Sequence, residues 1–384
     1  MSLKTPYITN QYPKTLLLGV HAPYNHIKNI NSYFEEFINL AKTNKVQNYE
    51  TLFIKLRDLD SSHFLTKGKL DEVKDFCKKH AIEQLIISEM ITPLQERNLS
   101  DYFDCDVFDR TQLILEIFEK AAHSAEGKAQ VGIAMLQYQK TRLAGKGIYL
   151  AQQTGVKGMR GGYGETAKEK EKRHIENTML KLERQLEQLQ KTRITQRKKR
   201  LSSGIPQICI IGYTNAGKST ILNTLTKSNV LAEDKLFATL DTTTRELFVN
   251  SKKIGTISDT VGFIQQLPPH LIEAFKSTLS ELQHADLLMH VVDISDENWE
   301  DHLRVVHDIL DQIGVQKEMV YVFNKIDKIE NIDNLSGALH KYQPQVFINA
   351  LNKDTVQQLR DFLADWSQNH LPKDTNLPID TTNH

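Results

Sequence analysis

From residue 212 to residue 220 the chain reads Gly212, Tyr213, Thr214, Asn215, Ala216, Gly217, Lys218, Ser219 and Thr220, a fit to G-x-x-x-x-G-K-[ST]. Glycines at both ends let successive backbone N–H groups curl around phosphate oxygens, and a helix N-terminus adds partial positive charge. In such a loop Lys218 reaches the β and γ phosphates and the Ser219 hydroxyl ligates Mg²⁺. The run follows the apolar ICII and precedes the helical STILNTLTKS, the context this chemistry requires. Alone, it implies a nucleoside triphosphate and no more.

Two further groups narrow the ligand. Asp259, Thr260, Val261 and Gly262 close a predicted strand. The carboxylate there would hold Mg²⁺, directly or through water, while the Gly262 N–H faces the γ-phosphate. Asn324, Lys325, Ile326 and Asp327 follow the apolar EMVYVF. An aspartate at that place accepts hydrogen bonds from guanine N1–H and the exocyclic amine. Adenine offers no such donor pair, so GTP is selected over ATP. Between these groups lie Leu236, Phe237, Ala238, Thr239, Leu240 and Asp241, followed by three more threonines. A switch loop needs a threonine on Mg²⁺; four compete, and spacing does not choose among them. Where Ras-type GTPases carry a water-orienting glutamine, this chain has Phe263. Intrinsic hydrolysis is therefore expected to be slow, with a partner supplying or ordering the missing element. Asn215 either braces the loop backbone or acts as in the potassium-activated GTPases it resembles, where K⁺ replaces an arginine finger.

The elements that must position these residues are legible on both sides. PQICIIG, KIGTISD, LLMHVVDIS, EMVYVFNK and QVFINA read as strands with helices between them, a doubly wound α/β domain over 205–370. Residues 1–110 alternate strand and helix as well. TLLLGV, TLFIKL and EQLIISEM are strands of a small α/β layer domain with a partly parallel sheet. Lys67, Gly68 and Lys69 start a helix or bind phosphate, and the helix start is favoured. Residues 111–204 separate the two domains. A single helix is predicted over 111–143, then seven glycines fall within residues 145–166, too many for regular helix. Beyond them Ile175, Met179, Leu182, Leu186 and Leu189 form a heptad seam that one helix cannot bury alone. The preceding helix, with Ile114, Phe118, Ala121, Met135 and Tyr138, is its expected partner in an antiparallel hairpin with the glycine loop at the tip. A coiled-coil dimer is the rival reading. Residues 371–384 are polar and expected to be disordered.

Charge points to a polyanion. The 384 residues hold 48 Lys plus Arg and 48 Asp plus Glu, yet residues 111–200 carry 19 basic against 9 acidic side chains. That net of +10 leaves −10 on the rest, an electrostatic footprint for nucleic acid or simply a solvated helix. The basic run RITQRKKR closes the segment. No stretch of 18 apolar residues spans a membrane, and the N-terminus lacks a secretory h-region. Three widely spaced cysteines, Cys77, Cys105 and Cys209, build neither a disulfide framework nor a zinc site. A cytoplasmic location is expected, with loose membrane association left open.

The order GYTNAGKST, FATLDTTTR, DTVGF, NKID resembles the translation-factor-related GTPases, and most closely the HflX family. DRTQLILEIFEKAA, EGKAQVGIAMLQYQKTRL and the GGYGET loop support the resemblance, which covers about residues 15–370. It implies a three-part fold: an N-terminal α/β domain, a basic antiparallel helical hairpin and a doubly wound P-loop GTPase domain. It implies Mg²⁺ and GTP as ligands, Thr239 as the switch threonine, and Lys218, Thr239, Gly262 and Asn215 around the reacting phosphate. Asn349, Ala350 and Leu351 would back the guanine. The implied partner is the 50S ribosomal subunit with its rRNA, bound by a monomer that splits stalled ribosomes. A GTPase of ribosome assembly or RNA modification is the alternative, and a binding protein with a structural nucleotide site a third reading. Three departures stand out: no proline in Gly162-Tyr163-Gly164-Glu165, Asn349 where the family has serine, and a tail too short for a C-terminal domain.

Overall fold

The computed structural model describes residues 13–25, 29–145, 167–201, 204–226, 236–237, 240, 243–268, 271, 281–330 and 335–370. These divide into two compact units. The first holds Met1–Glu187 together with Lys235–Phe237 and Gln266–Phe275; the second holds the remainder.

In the first unit a four-stranded parallel sheet has the order β2-β1-β3-β4, from β1 (Thr15–His21), β2 (Tyr49–Lys55), β3 (Gln84–Ile87) and β4 (Asp106–Phe108). Leu16, Leu17, Leu18 and Val20 of β1 are all buried, so both faces of this strand are covered, as a central parallel strand requires. Helix α1 (Ile30–Thr43) buries Tyr33, Phe34, Phe37, Leu40 and Ala41 at helical spacing, and its N-cap Asn29 accepts from Ser32 N. Lys67 opens helix α2 (Lys67–His80) after Thr66, so Lys67, Gly68 and Lys69 form its first turn. Helix α3 (Pro93–Phe103) starts in a capping box between Thr92 and Gln95.

The single helix predicted over 111–143 is corrected to two, α4 (Arg110–Ala121) and α5 (Ala125–Gly145). Ala122 is extended, and Ser124 Oγ takes the Gly127 N–H at 2.8 Å as a new N-cap, which restarts the helix. The pattern of apolar residues continued through this break and hid it. Ile114 and Phe118 therefore lie in α4, buried. The partner of helix α6 (Ala167–Leu201) is α5: Leu136 and Leu143 cluster with Ile175, Met179 and Leu182. Lys140 pairs with Glu176 at 2.9 Å, while a Cβ at Gly132 would touch Leu182, so residue numbers run oppositely and the pair is antiparallel. Asp109 ties α5 down, accepting from Tyr138 Oη at 3.0 Å and pairing with Arg142 at 2.7 Å. The glycine-rich residues 146–166 and the tail from 371 lie outside the described residues.

The second unit is a six-stranded sheet of order β10-β9-β8-β5-β7-β6. Its strands are β5 (Gln207–Gly212), β6 (Thr243–Val249), β7 (Lys252–Asp259), β8 (Leu287–Asp293), β9 (Met319–Asn324) and β10 (Gln345–Phe347). All pair in parallel except β6, which runs antiparallel to β7 at the edge. Helices α7 (Lys218–Thr226), α8 (Trp299–Gln312), α9 (Ser336–Leu339) and α10 (Lys353–His370) are among its helices. Ile208, Ile210, Met289, Val291, Val320 and Val322 fill the core between the central strands and their helices. The order reverses around β5, and in open α/β sheets that reversal places the ligand crevice at the carboxyl end of the strand.

Candidate nucleotide-binding site

Strand β5 delivers the P-loop at that carboxyl end. Gly212 has φ +148 and lies so close to the Val291 carbonyl that any Cβ would overlap it. Gly217, at φ +94, would overlap Asn324 Nδ2. Both positions need glycine on two counts, conformation and space. Lys218 opens α7, is 7% exposed, and donates from Nζ to the carbonyls of Gly212 at 3.1 Å and Tyr213 at 2.7 Å. Burial pushes its pKa down to about 8, against the upward pull of Asp259. The loop thus wraps its own lysine, whose ammonium is held where phosphate oxygens would meet it.

Ser219 Oγ donates to Asp259 Oδ2 at 2.8 Å, and Asp259 is fully buried at the end of β7. A hydroxyl and a carboxylate side by side are hard oxygen donors, which fits Mg²⁺ shared with phosphates. Among the described residues no group of three or more His, Cys, Asp or Glu could hold a metal alone. Thr260 turns away: its hydroxyl donates to the Ile210 carbonyl at 2.6 Å. Val261 is buried. Gly262 passes close to the loop, where a Cβ would come within 2.8 Å of Thr214 Cγ2 and 3.0 Å of Lys218 Nζ.

The 324–327 segment joins the other loops. Asn324, 2% exposed, donates to the Ala216 carbonyl at 2.9 Å and accepts from Ala350 N at 3.0 Å. Lys325 Nζ donates to the Asn215 carbonyl at 3.0 Å and to Asp293 Oδ2 at 2.6 Å. Asp327 sits in a one-turn 3₁₀ helix (Ile326–Lys328), exposed, with Ile326 half-buried beside it. The Ala350 N–H, expected against guanine, is engaged by Asn324. Asn349 does local work in place of the family's serine: its side-chain oxygen accepts Leu351 N at 3.0 Å, closing a turn. Leu351 itself is 84% exposed.

Of the switch residues, Phe237 and Leu240 are buried, and Phe237 packs edge-on against Phe118 with ring centroids 4.6 Å apart. Ala238, Thr239 and Asp241 lie outside the described residues. Two contributors escaped the sequence reading. Asp293 ends β8 and anchors Lys325; a carboxylate ending an apolar strand was its only signal. The other is His302 of α8, which has no motif signature and stacks on Tyr213 of the P-loop with centroids 3.9 Å apart.

Three family models match the chain. One described as "GTP-binding GTPase N-terminal" matches residues 31–119, "GTP-binding GTPase Middle Region" matches 121–200, and "50S ribosome-binding GTPase" matches 207–325. The chain is 41% identical over 325 residues to the GTPase HflX of Caldanaerobacter subterraneus subsp. tengcongensis, covering 84% of this chain and 74% of that one. It is 34% identical over 374 residues to that of Flavobacterium psychrophilum, covering 92% and 90%. To that of Escherichia coli it is 36% identical over 348 residues, covering 90% and 81%.

Proposed function

Because the chain belongs to the HflX family of GTPases, we propose that it is a monomeric cytoplasmic enzyme that binds GTP with Mg²⁺, docks on the 50S ribosomal subunit and splits stalled ribosomes. The observation that carries the nucleotide part is Asn324, which joins the P-loop to the 350 loop and leaves Asp327 exposed beside them. Ser219 and Asp259 would hold the ion, with Thr239 as the third ligand. Bound there, Mg²⁺ would neutralise charge on the phosphate oxygens. Lys218 supplies a second positive charge, and the Gly262 N–H would meet the γ-phosphate.

The ribosomal part rests on charge and on the described antiparallel α5–α6 pair. Residues 111–200 carry the net +10 of an otherwise acidic chain. Phosphate contacts from such a segment give affinity without sequence reading, and binding falls steeply as salt rises. No helix among the described residues is long and apolar enough to cross a membrane. Cosedimentation with 50S, 30S and 70S particles in a non-hydrolysable GTP analogue tests the partner. We expect pelleting with 50S and 70S and loss of it at high salt. Replacing residues 155–165 by a neutral Gly-Ser linker of equal length should abolish 70S splitting while GTP affinity stays within about twofold. Retained splitting would remove the loop from the mechanism. No pelleting with 50S would favour a role in RNA modification or assembly instead.

Phe263 is 2% exposed and has no group with which to orient water. Asn215 holds φ 60 at the exposed turn of the P-loop. A K⁺ ion beside it would supply the missing charge near the leaving group. Turnover should then be at least about tenfold faster in KCl than in NaCl at equal ionic strength. Equal rates would leave Asn215 as a loop brace.

A further inference from the structure

The residues on either side of Gly262 are held by different means. Upstream, the Thr260 hydroxyl fastens to the Ile210 carbonyl at 2.6 Å. Downstream, three hydrogen bonds fasten residues 263–265 to the P-loop. Thr214 N donates to the Phe263 carbonyl at 2.8 Å, Phe263 N donates to the Gly212 carbonyl at 3.2 Å, and Gln265 N donates to the phenolic oxygen of Tyr213 at 2.8 Å. The third alone depends on a side chain. The Tyr213 ring, 7% exposed, lies flat on His302, with an interplanar angle of 11°. His302 in turn has Nδ1 3.9 Å from Asp296 Oδ2 and a side chain only 12% exposed. An unbroken line of contacts therefore runs from α8 through His302 and Tyr213 to the Gln265 amide, three residues beyond Gly262.

We propose that Tyr213 is a positioning residue for GTP hydrolysis, fixing the Gly262 N–H at the γ-phosphate by clamping the Gln265 amide, with His302 holding the phenol ring in place. Glycine has the most backbone freedom of any residue, so its N–H points reliably only when both flanks are fixed. The clamp matters more here because Phe263 offers the reaction no polar group. A misplaced Gly262 amide costs nothing when GDP is bound, since GDP lacks the γ-phosphate. Loss of the clamp must therefore act on GTP and on the transition state while sparing GDP.

This inference rests on the assignment of Gly262 to the γ-phosphate, and the experiment separates the two. Affinities for fluorescent GDP and a non-hydrolysable GTP analogue, and single-turnover hydrolysis, are measured on the full chain. Tyr213→Phe keeps the stack and removes the acceptor. It should lower the analogue-to-GDP affinity ratio at least about fivefold and the hydrolysis rate about tenfold, with GDP affinity within about twofold. His302→Ala leaves the P-loop sequence intact and should move the ratio and the rate in the same direction. His302→Phe restores a flat ring and should return both to within about twofold of the parent. If Tyr213→Phe weakens GDP and analogue equally, or changes neither the ratio nor the rate, the proposal is overturned. Gly262→Ala controls the premise. A preserved ratio in that variant would remove the γ-phosphate assignment and the proposal with it. A ratio lost there but kept in Tyr213→Phe and His302→Ala would overturn the proposal alone.

Discussion

Asn324→Ala is expected to lower affinity for GDP and GTP together by about a hundredfold and to destabilise the GTPase unit. Asn324 lies inside the protein, and its two side-chain atoms each satisfy a backbone group on a different loop, the Ala216 carbonyl and the Ala350 amide. Truncation leaves both groups buried without partners. Each such orphan costs about 1–3 kcal/mol, and about 1.4 kcal/mol corresponds to a factor of ten in binding. The space that Gly217 opens for Nδ2 also becomes a void. Nucleotide titration by fluorescence and a thermal melt of the same sample check the two effects, and unchanged values in either would contradict the stitching role. Asp327, three residues on, should behave differently because it is exposed. Asp327→Asn should leave the melt unmoved, weaken GTP well beyond twofold and favour xanthine nucleotides, since one acceptor of the carboxylate becomes a donor. One motif thus divides between an interior staple, Asn324, and an exposed carboxylate, Asp327, proposed to read the base.

That division shows what the sequence could and could not disclose. P-loop, DxxG and NKID were legible because each demands particular residue types at fixed spacing beside an apolar strand. Strand β6 was missed. It is an edge strand, buried mainly at Leu247 and Val249, and its threonine-rich start reads as loop. The break between α4 and α5 was missed because Ser124 acts as a cap only through its conformation, while apolar residues continue on both sides. The first sheet proved wholly parallel where a partly parallel one was expected. Short strands such as β3 and β4 carry no directional signal until their helices are placed. Asp293 and the Tyr213–His302 stack join residues distant in the chain, and pairings of that kind have no local pattern. Thr239 owes its assignment to family resemblance alone.

The second large effect concerns acid. His290 sits mid-strand in β8, 1% exposed, its ring 5.5 Å from that of His307 on α8 and 5.8 Å from that of Tyr321 on β9. Its Nδ1 has no hydrogen-bond partner among the described residues. Burial above all, then the charges of His307 and Lys218, push its pKa down to about 3. In the unfolded chain a histidine titrates near about 6.5. Between these values the unfolded chain binds a proton that the folded chain refuses, so stability is full above about 6.5 and falls as pH drops toward 3. At about 1.36 kcal/mol per pH unit, the loss at pH 5 amounts to about 2 kcal/mol. His290→Phe keeps a buried ring and removes the titration. Near pH 7 the exchange should cost under about 1.5 kcal/mol, but between pH 7 and pH 5 the variant should lose about 2 kcal/mol less than the parent. Urea unfolding followed by tryptophan fluorescence reads this cleanly, because both tryptophans, Trp299 and Trp366, lie in the GTPase unit. Equal losses in the two proteins would refute the assignment. The same geometry says why a neutral ring suits this place: an imidazolium here would repel Lys218, the cation proposed to meet the phosphates, so the burial that makes the fold acid-sensitive also spares that lysine a rival charge.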